Sequence, residues 1–520
     1  MAFAVAIDSP GYNVVTDQSV VHSENRWVCA VCGYVHQGAE LPGCCPICGA
    51  TPDLFELQAN TNTTSASRLV VYDQWTCLNC DYIHPGPNPP ATCPVCGLPS
   101  EQFAPGSFVP AISGTSEDAL TVVIVGAGIA GVSAAESIRR ASSAAVITLL
   151  SREAELPYYR LNLTRYLAGE ISAESLNIHP QQWYRDNAID LRLSTELRDL
   201  DPDNKRLTLA DDQVLQYDRL ILAMGAHPFV PPIPGIHREN VTTLRTVRDA
   251  DAILGQCCPG LPCVIIGGGV LGLEVAGALA RHGVSVTLLE GFGWLMPLQL
   301  NQTAGDLLAE YAADLGITIR TNVKIAQIDG DDRVRSIVLE GGASIAAELV
   351  IVTAGVRSNS WLLRRANIDV NQGVLVSDTL QTSREELFAV GDIAEHRGVS
   401  YGAWAPAQFQ GVIAGLNATG KKTEFAGIPR SNTLKVLNLE LFSIGQVHPK
   451  DGSYQVFELA KNGQYHYFVF HDGQLVGAIL LGDMRLAAAI KNMIEKKSSC
   501  TDLLHTSPDV QAVITYIENF

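Results

Sequence analysis

Short apolar runs, each followed by a glycine-rich turn, recur through the central part of the chain. Residues 121–125 are rich in β-branched side chains, as expected of a strand buried on both faces, and residues 132–140 have the spacing of a helix. Further runs predict buried strands over Val146–Leu150, Cys263–Ile266 and Ser285–Leu289. Strands that alternate with helices in this way predict an α/β fold with parallel sheets.

Two of the turns have the pattern G-x-G-x-x-G between a strand and a helix. The first glycine allows a tight turn, the second lets the backbone approach a pyrophosphate, and the third lets the helix pack close to the strand. Phosphates then bind to the free N–H groups at the helix N-terminus. The glycines are Gly126, Gly128 and Gly131 in the first motif, and Gly267, Gly269 and Gly272 in the second. Two motifs predict two Rossmann-like domains and two dinucleotides in one chain.

The strand-and-glycine plan is duplicated after each motif. A strand at residues 217–225 runs into Gly225, and its counterpart at residues 348–355 runs into Gly355. The chain then returns to a strand that ends in Gly391-Asp392, where we expect a helix start and a carboxylate bound to a sugar-alcohol hydroxyl. This order predicts that the second nucleotide-binding domain is inserted in the first.

Two acidic residues are placed to bind ribose hydroxyl groups. Such a group is expected about 20 residues after the glycines, where Glu153 and Glu290 each follow a predicted strand. The carboxylate of Glu290 would repel a 2′-phosphate, so NADH is favoured over NADPH. Glu274, on the first turn of the second helix, either contacts the nicotinamide or complements the helix dipole, and both interpretations stay open.

Cysteine pairs repeat near the N-terminus with identical spacing. Each of two units has the form C-x2-C-x12-C-x2-C, and two thiolate pairs can close a tetrahedron around one ion. Zn and Fe both accept four thiolates, so spacing alone leaves the metal open. The predicted ligands are Cys29, Cys32, Cys45, Cys48, Cys77, Cys80, Cys93 and Cys96.

Composition and charge restrict the function classes. The formal net charge of −18 over 520 residues argues against nucleic acid as a partner. No apolar run approaches the roughly 20 residues that span a bilayer, and residues 1–25 lack the pattern of a secretory signal. Eight of the 13 cysteines have metal-type spacing, which fits a reducing compartment. We therefore expect a cytoplasmic protein without a membrane segment.

These patterns predict five domains. Residues 58–68 and 104–118 are rich in small polar residues and predict flexible linkers. The tail predicts strands and one helix, over Thr433–Phe442, Tyr454–Leu459, Tyr465–Phe470, Gln474–Leu481 and Arg485–Lys497. The predicted domains are a first metal unit at 25–57, a second metal unit at 73–104, a first nucleotide-binding domain at 119–240 with 360–425, a second at 241–359, and a small α/β C-terminal domain at 426–520.

The two metal units resemble the short rubredoxin-like domain of rubrerythrins. The resemblance rests on the pattern W-x-C-x-x-C-[G/D]-Y-x-H…C-P-x-C-G, within Arg26–Leu57 and again within Gln74–Phe103. It implies one iron in each unit that cycles between ferrous and ferric forms, hence two Fe, with Zn as the alternative. One departure is Asp81, which replaces the glycine after the second cysteine.

Residues 119–425 resemble the two-dinucleotide flavoprotein disulfide reductases, and among them the NADH:rubredoxin oxidoreductase branch. The motifs that carry this are GAGIAG, PYYR (Pro157–Arg160), AMGAHP, GGGVLGLE, TAGVR and FAVGDIAE. The resemblance implies FAD in the first site and NADH in the second. It also places Arg160 and Arg165 in the stretch that lines the flavin ring in relatives. Arg165 and Glu274 are therefore the candidate catalytic residues.

The distribution of cysteine further restricts which activities are possible. Residues 121–235 contain no cysteine, which argues against disulfide reduction at the flavin. We therefore expect an enzyme, an NADH-dependent rubredoxin reductase that passes electrons through FAD to its own iron centres or to an external rubredoxin. The expected downstream partners are a flavodiiron protein, a rubrerythrin or another oxygen- or peroxide-reducing protein. The alternative is an NADH oxidase or acceptor reductase whose metal units bind Zn for docking.

Overall fold

The computed structural model describes residues 26–29, 35–37, 55–58, 72–77, 83–85, 89–91, 93, 100, 103–108, 119–427, 431–437, 439–461 and 463–520. The chain divides into two compact units, Met1–Arg68 and Leu69–Phe520. The first metal unit lies in the former, and only the backbone of its strands is described. The second metal unit belongs to the same compact unit as the nucleotide-binding sheets.

Each metal unit contains a three-stranded antiparallel sheet with its first strand in the middle. The strands are β1 (Arg26–Cys29), β2 (Val35–Gln37) and β3 (Phe55–Gln58) in the first, and β4 (Tyr72–Cys77), β5 (Ile83–Pro85) and β6 (Phe103–Phe108) in the second. The same pairing in both confirms the sequence repeat. The predicted linker at 104–118 begins too early, because residues 104–108 pair with β4.

Residues 121–228 carry the first glycine-rich turn. The middle strand β7 is buried at four of five positions, as its β-branched sequence predicts. The elements are β7 (Thr121–Val125), α1 (Ile129–Ala141), β8 (Val146–Leu150), α2 (Leu163–Leu167), α3 (Gln181–Asp186), β9 (Ile189–Arg192), β10 (Leu197–Asp201), β11 (Arg206–Leu209), β12 (Val214–Gln216), β13 (Arg219–Leu222) and β14 (Ala226–Pro228).

Residues 241–396 repeat this plan around the second turn and then return to the first sheet. The elements are β15 (Val241–Thr243), α4 (Val247–Leu254), β16 (Pro262–Ile266), α5 (Val270–Arg281), β17 (Ser285–Leu289), α6 (Gln302–Asp314), β18 (Thr318–Arg320), β19 (Ile325–Gly330), β20 (Val334–Leu339), β21 (Ser344–Ala346), β22 (Leu349–Val352), β23 (Val356–Ser358), α7 (Trp361–Arg365), β24 (Val374–Val376), β25 (Leu387–Ala389) and β26 (Ala394–His396).

Two five-stranded parallel sheets form the core of this part of the chain. Their strand orders are β25-β13-β7-β8-β9 and β15-β22-β16-β17-β18. In each sheet the glycine-rich turn follows the middle strand, so each predicted phosphate site lies at a carboxyl edge. β25 comes after the whole second sheet in sequence, yet it pairs with β13, with Leu387 opposite Leu220. The first sheet is thus completed only when the chain returns from the second.

The predicted helix start at Gly391 is wrong. Gly391–Ile393 forms a single 3-10 turn, and the chain continues into β26. Gly391 has φ of +76°, a left-handed conformation that a right-handed helix excludes, and its N–H donates to Gln410 Oε1 over 2.7 Å. The next helix, α8 (Trp404–Ala418), begins later than the helix predicted over 401–415.

Helix α8 packs lengthwise on α1 through two glycines. A Cβ at Gly411 would lie 2.2 Å from Ala130 O, and a Cβ at Gly415 would lie 2.7 Å from Ala134 O. Glycine at these positions therefore lets the two helix backbones approach closely. This contact holds α8 against the helix that opens from the first glycine-rich turn.

The C-terminal domain is a five-stranded antiparallel sheet of order β27-β28-β31-β30-β29 with three helices. The strand predicted over Thr433–Phe442 is instead a hairpin, because Leu437 adopts a positive φ of 57°. The helices over Thr501–His505 and Val510–Glu518 were not predicted from the sequence. The elements are β27 (Ser431–Val436), β28 (Leu439–Gly445), β29 (Gln455–Lys461), β30 (Gln464–His471), β31 (Gln474–Leu481), α9 (Ala487–Glu495), α10 (Thr501–His505) and α11 (Val510–Glu518).

None of the helices in the described ranges combines the length and the apolar character that crossing a bilayer requires.

Candidate functional site

The three glycines of the first motif have different surroundings. Gly126 has φ of +107°, and a Cβ there would lie 2.2 Å from Ala223 O. A Cβ at Gly131 would lie 1.9 Å from Gly126 O, whereas a Cβ at Gly128 would meet nothing within 4 Å. Packing therefore requires the first and third glycines, while the second faces open space at the N-terminus of α1. This arrangement suits a pyrophosphate group.

The second motif repeats this geometry. Gly267 has φ of +119°, and a Cβ there would lie 2.7 Å from Thr353 O. A Cβ at Gly272 would lie 1.9 Å from Gly267 O, while a Cβ at Gly269 would meet nothing within 4 Å. Both turns thus leave space at the position where a dinucleotide approaches the backbone.

A cavity beside the first turn contains a network of polar side chains. Glu153 accepts hydrogen bonds from Tyr158 Oη at 2.6 Å and from Arg160 Nη2 at 2.5 Å, and Arg160 also donates to Tyr158 Oη at 2.8 Å. Burial disfavours the charge of Arg160, but Tyr158 and Glu153 hold its pKa above the usual value. The predicted residues that line this cavity are Gly126, Gly128, Glu153, Arg160 and Gly225.

Arg245 lies in the same cavity, and sequence reasoning missed it. Its Nη2 is 3.2 Å from Asp392 Oδ2, and its carbonyl oxygen accepts a hydrogen bond from Arg160. Burial and then the charge of Arg160 lower the pKa of Arg245. Two guanidinium groups therefore lie beside the first turn, which complements the charge of a diphosphate.

The one sequence signal near Arg245 concerns the backbone. The next residue, Thr246, forms a capping box with Asp249 and begins α4. The spacing T-x-x-D could have marked this helix start. It does not indicate that the preceding side chain reaches back to Asp392, because that contact joins segments 147 residues apart.

Buried polar atoms on α8 provide a further test of fit. Gln410 Oε1 accepts from Gly391 N, while Gln410 Nε2 and the ring nitrogen of Trp404 are buried and find no hydrogen-bond partner within the described part of the chain. Buried donors of this kind are rare because they cost free energy, so acceptor atoms of a bound group would satisfy them. With the open turn and the guanidinium pair, they fit the FAD that the motifs imply.

Glu290 marks the second site. It is only 7% exposed at the end of β17, where its carboxylate accepts from Gly268 N at 2.7 Å and Phe292 N at 2.9 Å. These two bonds hold the charge beside the second turn, as binding of a ribose diol requires. Gly355 follows β22 with φ of +100° and open space around its Cα.

Glu274 lies where α5 meets α2. Its Oε2 accepts a hydrogen bond of 2.8 Å from Thr164 Oγ1. Burial raises the pKa of Glu274 to about 7, although the Thr164 bond opposes the shift. The carboxyl group is therefore partly protonated near neutral pH. This side chain bridges the two nucleotide-binding halves instead of only complementing a helix dipole.

Arg165 is not brought to Glu274. Its Nε lies 3.2 Å from Glu170 Oε2, and Glu170 also pairs with Arg281. Because neighbouring positions on α2 point in different directions, Thr164 faces Glu274 while Arg165 faces this exposed ion-pair cluster. The structure thus separates the two candidate catalytic residues.

The second metal unit brings two of its four predicted ligands together. Cys77 and Cys93 are fully buried in one small cluster with Phe103, and half-buried Trp75 packs against it. Two buried sulfurs from separate segments fit a thiolate metal site. Cys80, Cys96 and the four cysteine side chains of the first metal unit lie outside the described residues. Among the side chains that are described, no group of three or more potential metal ligands occurs.

Comparison with protein families agrees with this architecture. The profile described as pyridine nucleotide-disulphide oxidoreductase matches residues 120–411. The rubredoxin NAD+ reductase C-terminal domain matches residues 431–498, and the rubredoxin-like domain of rubrerythrin matches residues 27–56 and 75–104. These matches confirm the resemblances that the sequence motifs predicted.

Two curated relatives differ in how much of their length the chain covers. The nitrite reductase [NAD(P)H] of Bacillus subtilis is 34% identical over 385 residues, which are 73% of this chain and 48% of that protein. The chain thus spans about half the length of this relative. The NADH-rubredoxin oxidoreductase of Clostridium acetobutylicum is 30% identical over 378 residues, which are 73% of this chain and 95% of that protein.

A solved structure has the same fold. The crystal structure of NADH:rubredoxin oxidoreductase from Clostridium acetobutylicum is 27% identical, with a TM-score of 0.64 over 77% of this chain and 100% of that one. The predicted α/β architecture with two nucleotide-binding sheets is therefore confirmed. By its matched residues and its fold, the chain belongs to the pyridine nucleotide-disulphide oxidoreductase family.

Proposed function

We propose that this protein is an NADH-dependent rubredoxin reductase, which transfers electrons through FAD to rubredoxin-type iron centres. The observation that carries the proposal is that the buried Cys77 and Cys93 belong to the same compact unit as both dinucleotide-binding turns. The relative named NADH-rubredoxin oxidoreductase supports this class of acceptor. The acceptors would be the chain's own two metal units, an external rubredoxin, or both.

The overall reaction balances with two iron centres for each NADH. NADH and two ferric centres give NAD+, two ferrous centres and one proton. FAD, when bound, supplies the conversion between a two-electron hydride donor and one-electron acceptors. The protein supplies binding, orientation and electrostatics.

In the first site the side chains would hold FAD by charge and hydrogen bonds. Arg160 and Arg245 neutralise the diphosphate at the N-terminus of α1, and Glu153 orients a ribose hydroxyl. Asp392 binds a hydroxyl of the sugar-alcohol chain, while Gln410 Nε2 and Trp404 Nε1 donate to acceptor atoms. The cavity lining supports the roles of Glu153, Arg160 and Arg245, and the buried nitrogens that lack a hydrogen-bond partner among the described residues support those of Gln410 and Trp404.

In the second site the side chains would hold NADH. Glu290 binds the ribose hydroxyls and excludes a 2′-phosphate. Glu274 orients the nicotinamide: with a pKa of about 7, its carboxyl group holds a proton during part of the time near neutral pH and can donate it in a hydrogen bond. Thr164 positions Glu274, since its hydroxyl donates to the same carboxyl group. Arg165, which lies in the same helix as Thr164, stays a candidate for contact with the flavin ring.

The metal units would hold one iron each. In the second metal unit Cys77 and Cys93, together with Cys80 and Cys96, would complete a tetrahedral site. In the first metal unit the ligands would be Cys29, Cys32, Cys45 and Cys48. The burial of Cys77 and Cys93 supports this assignment for the second unit, because a water-excluded site protects bound thiolates.

The downstream partner is a further part of the proposal. A flavodiiron protein, a rubrerythrin or another oxygen- or peroxide-reducing protein would accept electrons from the ferrous centres. The rubrerythrin-type pattern of both metal units supports this class of partner. A cytoplasmic location would keep eight metal-binding cysteines reduced.

The experiment that tests the proposal follows both chromophores in one reaction. The full-length protein, loaded with FAD and iron, is mixed with NADH without oxygen in a stopped-flow instrument. Flavin absorbance should bleach first, and the ferric-thiolate band should bleach afterwards. A ferric band that persists after flavin reduction would rule out the chain's own metal units as acceptors, and added rubredoxin then tests the external acceptor. Metal analysis of the protein before iron loading checks the Zn-docking alternative.

A further inference from the structure

Tyr159 joins the second metal unit to the flavin side of the molecule. Its neighbours, Tyr158 and Arg160, line the cavity beside the first glycine-rich turn. The ring of Tyr159 instead packs against the cluster of Cys77, Cys93 and Phe103. One loop therefore touches the predicted flavin site with two residues and the predicted iron ligands with the residue between them.

The backbone on both sides of Tyr159 is held in place. Tyr159 N donates to Leu176 O at 2.8 Å, and its carbonyl oxygen accepts from Asn162 N at 2.8 Å. These bonds fix the start of the 3-10 turn at Arg160–Asn162. Because the loop is anchored, the direction of the Tyr159 ring does not depend on the metal unit alone.

Trp404 extends this contact toward the nucleotide-binding core. Its ring centroid lies 5.2 Å from that of Tyr159, with an interplanar angle of 34°. Trp404 is the first residue of α8, which packs along α1 through Gly411 and Gly415. Trp404 and Tyr159 thus connect α8, which packs on the helix at the first glycine-rich turn, with the buried cluster of Cys77 and Cys93.

We infer that Tyr159 and Trp404 form the docking surface that seats the second metal unit against the flavin site, and that this unit receives the first electron. The inference deepens the proposed function and rests on it for the electron-transfer step. In that step one electron leaves the reduced flavin and one ferric centre becomes ferrous. The occupant is residues 73–104 of the same chain, and an external rubredoxin would have to displace it.

The short connection to the sheet supports this choice of occupant. β6 ends at Phe108 and β7 begins at Thr121, so only residues 109–120 separate the docked unit from the central strand of the flavin-side sheet. A chain of that length spans about 20 Å, which keeps the unit at millimolar effective concentration near the surface. An aromatic anchor between two such tethered bodies is the usual centre of a small interface.

The test compares Tyr159→Ala with wild type in the full-length protein loaded with FAD and iron. Truncation of this partly buried aromatic anchor should lower the equilibrium constant for docking about 30-fold. Two readouts report this. Hydrogen–deuterium exchange in β4 and β6 should increase before any NADH is added, and the rate of ferric reduction divided by the rate of flavin reduction should fall.

Two further variants serve as controls. Tyr159→Phe keeps the ring and should leave both readouts at their wild-type values. Phe520→Ala removes a half-exposed aromatic ring at residue 520 and should also change neither readout. If Tyr159→Ala loses its flavin, Tyr159→Leu replaces it, because leucine keeps apolar bulk in the loop but lacks the ring.

The inference would be overturned if the alanine or leucine variant kept the wild-type values of both readouts, the hydrogen–deuterium exchange in β4 and β6 and the ratio of ferric to flavin reduction rates. Failure of the wild-type protein to reduce its ferric centres would instead overturn the part of the proposed function that makes the chain's own iron centres acceptors. In that case the exchange comparison still decides whether Tyr159 docks the second metal unit.

Discussion

The two dinucleotide sites share one backbone plan but differ in charge. Both turns need glycine at the first and third positions for packing and leave open space at the second. Beyond the turn, the first site contains two guanidinium–carboxylate pairs, Arg160 with Glu153 and Arg245 with Asp392, whereas the second contains the carboxylate of Glu290, held by backbone N–H groups. The turn therefore determines where a pyrophosphate lies, and the side chains beyond it determine which dinucleotide is bound and how tightly.

The largest expected effect is on the free energy of unfolding. It distinguishes a glycine that is needed for packing from a glycine that is needed for binding. Gly131→Ala places a Cβ 1.9 Å from Gly126 O, so we expect a loss of about 3 kcal/mol or more in the free energy of unfolding. Gly128→Ala meets open space and should cost about 1 kcal/mol or less, while weakening FAD binding. Denaturant unfolding and FAD titration measure both. Equal destabilisation by the two variants would contradict the packing explanation.

The next effect concerns the positive charge of the first site. Arg245→Met should weaken FAD binding about 100-fold, because it removes one guanidinium group and leaves the partly buried Asp392 without this partner. Equilibrium dialysis with FAD measures the dissociation constant. The double variant Arg245→Met with Asp392→Asn should recover stability but not FAD affinity. Recovery of affinity as well would show that Arg245 acts only by pairing with Asp392.

A smaller effect concerns the negative charge of the second site. Glu290→Gln keeps the shape of the side chain but removes the charge that faces a 2′-phosphate. We expect the ratio of kcat/KM for NADPH to that for NADH to rise about 10-fold. Glu153→Gln, which changes the corresponding residue of the first site, is the matched control and should leave this ratio unchanged. A rise in this ratio for Glu153→Gln would mean that the choice between NADH and NADPH is not made by Glu290 alone.

A pH-dependent effect lies between the two sites, at Glu274. Its folded-state pKa of about 7 lies above the ordinary value of 4.5, so the folded protein binds a proton that the unfolded chain releases. Glu274 therefore contributes stability below about pH 4.5 that is lost as the pH rises through 7. Glu274→Gln should be more stable than wild type by about 3 kcal/mol at pH 8 and equal to it near pH 4, because the difference between pKa values of about 7 and 4.5 corresponds to roughly 1.4 kcal/mol per pKa unit. Thermal unfolding at both pH values checks this, and a difference that is the same at both would refute the raised pKa.

Much of the fold was predictable because its signals are local. The strands Val146–Leu150 and Ser285–Leu289 have the predicted bounds, since a buried parallel strand needs a mainly apolar run and each of these runs ends where polar residues begin. The cysteine repeat predicted two equivalent units for the same reason. The hairpin at Leu437 was not predicted because leucine rarely adopts a positive φ, so the local sequence did not indicate a turn there.

The sequence by itself determined the two glycine-rich turns, the acidic residue after each following strand and the spacing of the cysteine ligands. All of these depend on residues close together in the chain. Only the tertiary structure decided that Arg245 pairs with Asp392, that Thr164 and not Arg165 reaches Glu274, and that Tyr159 packs on the second metal unit. Each of these contacts joins segments that are distant in the chain. Its geometry depends on how sheets and helices pack, so a local sequence pattern cannot predict it.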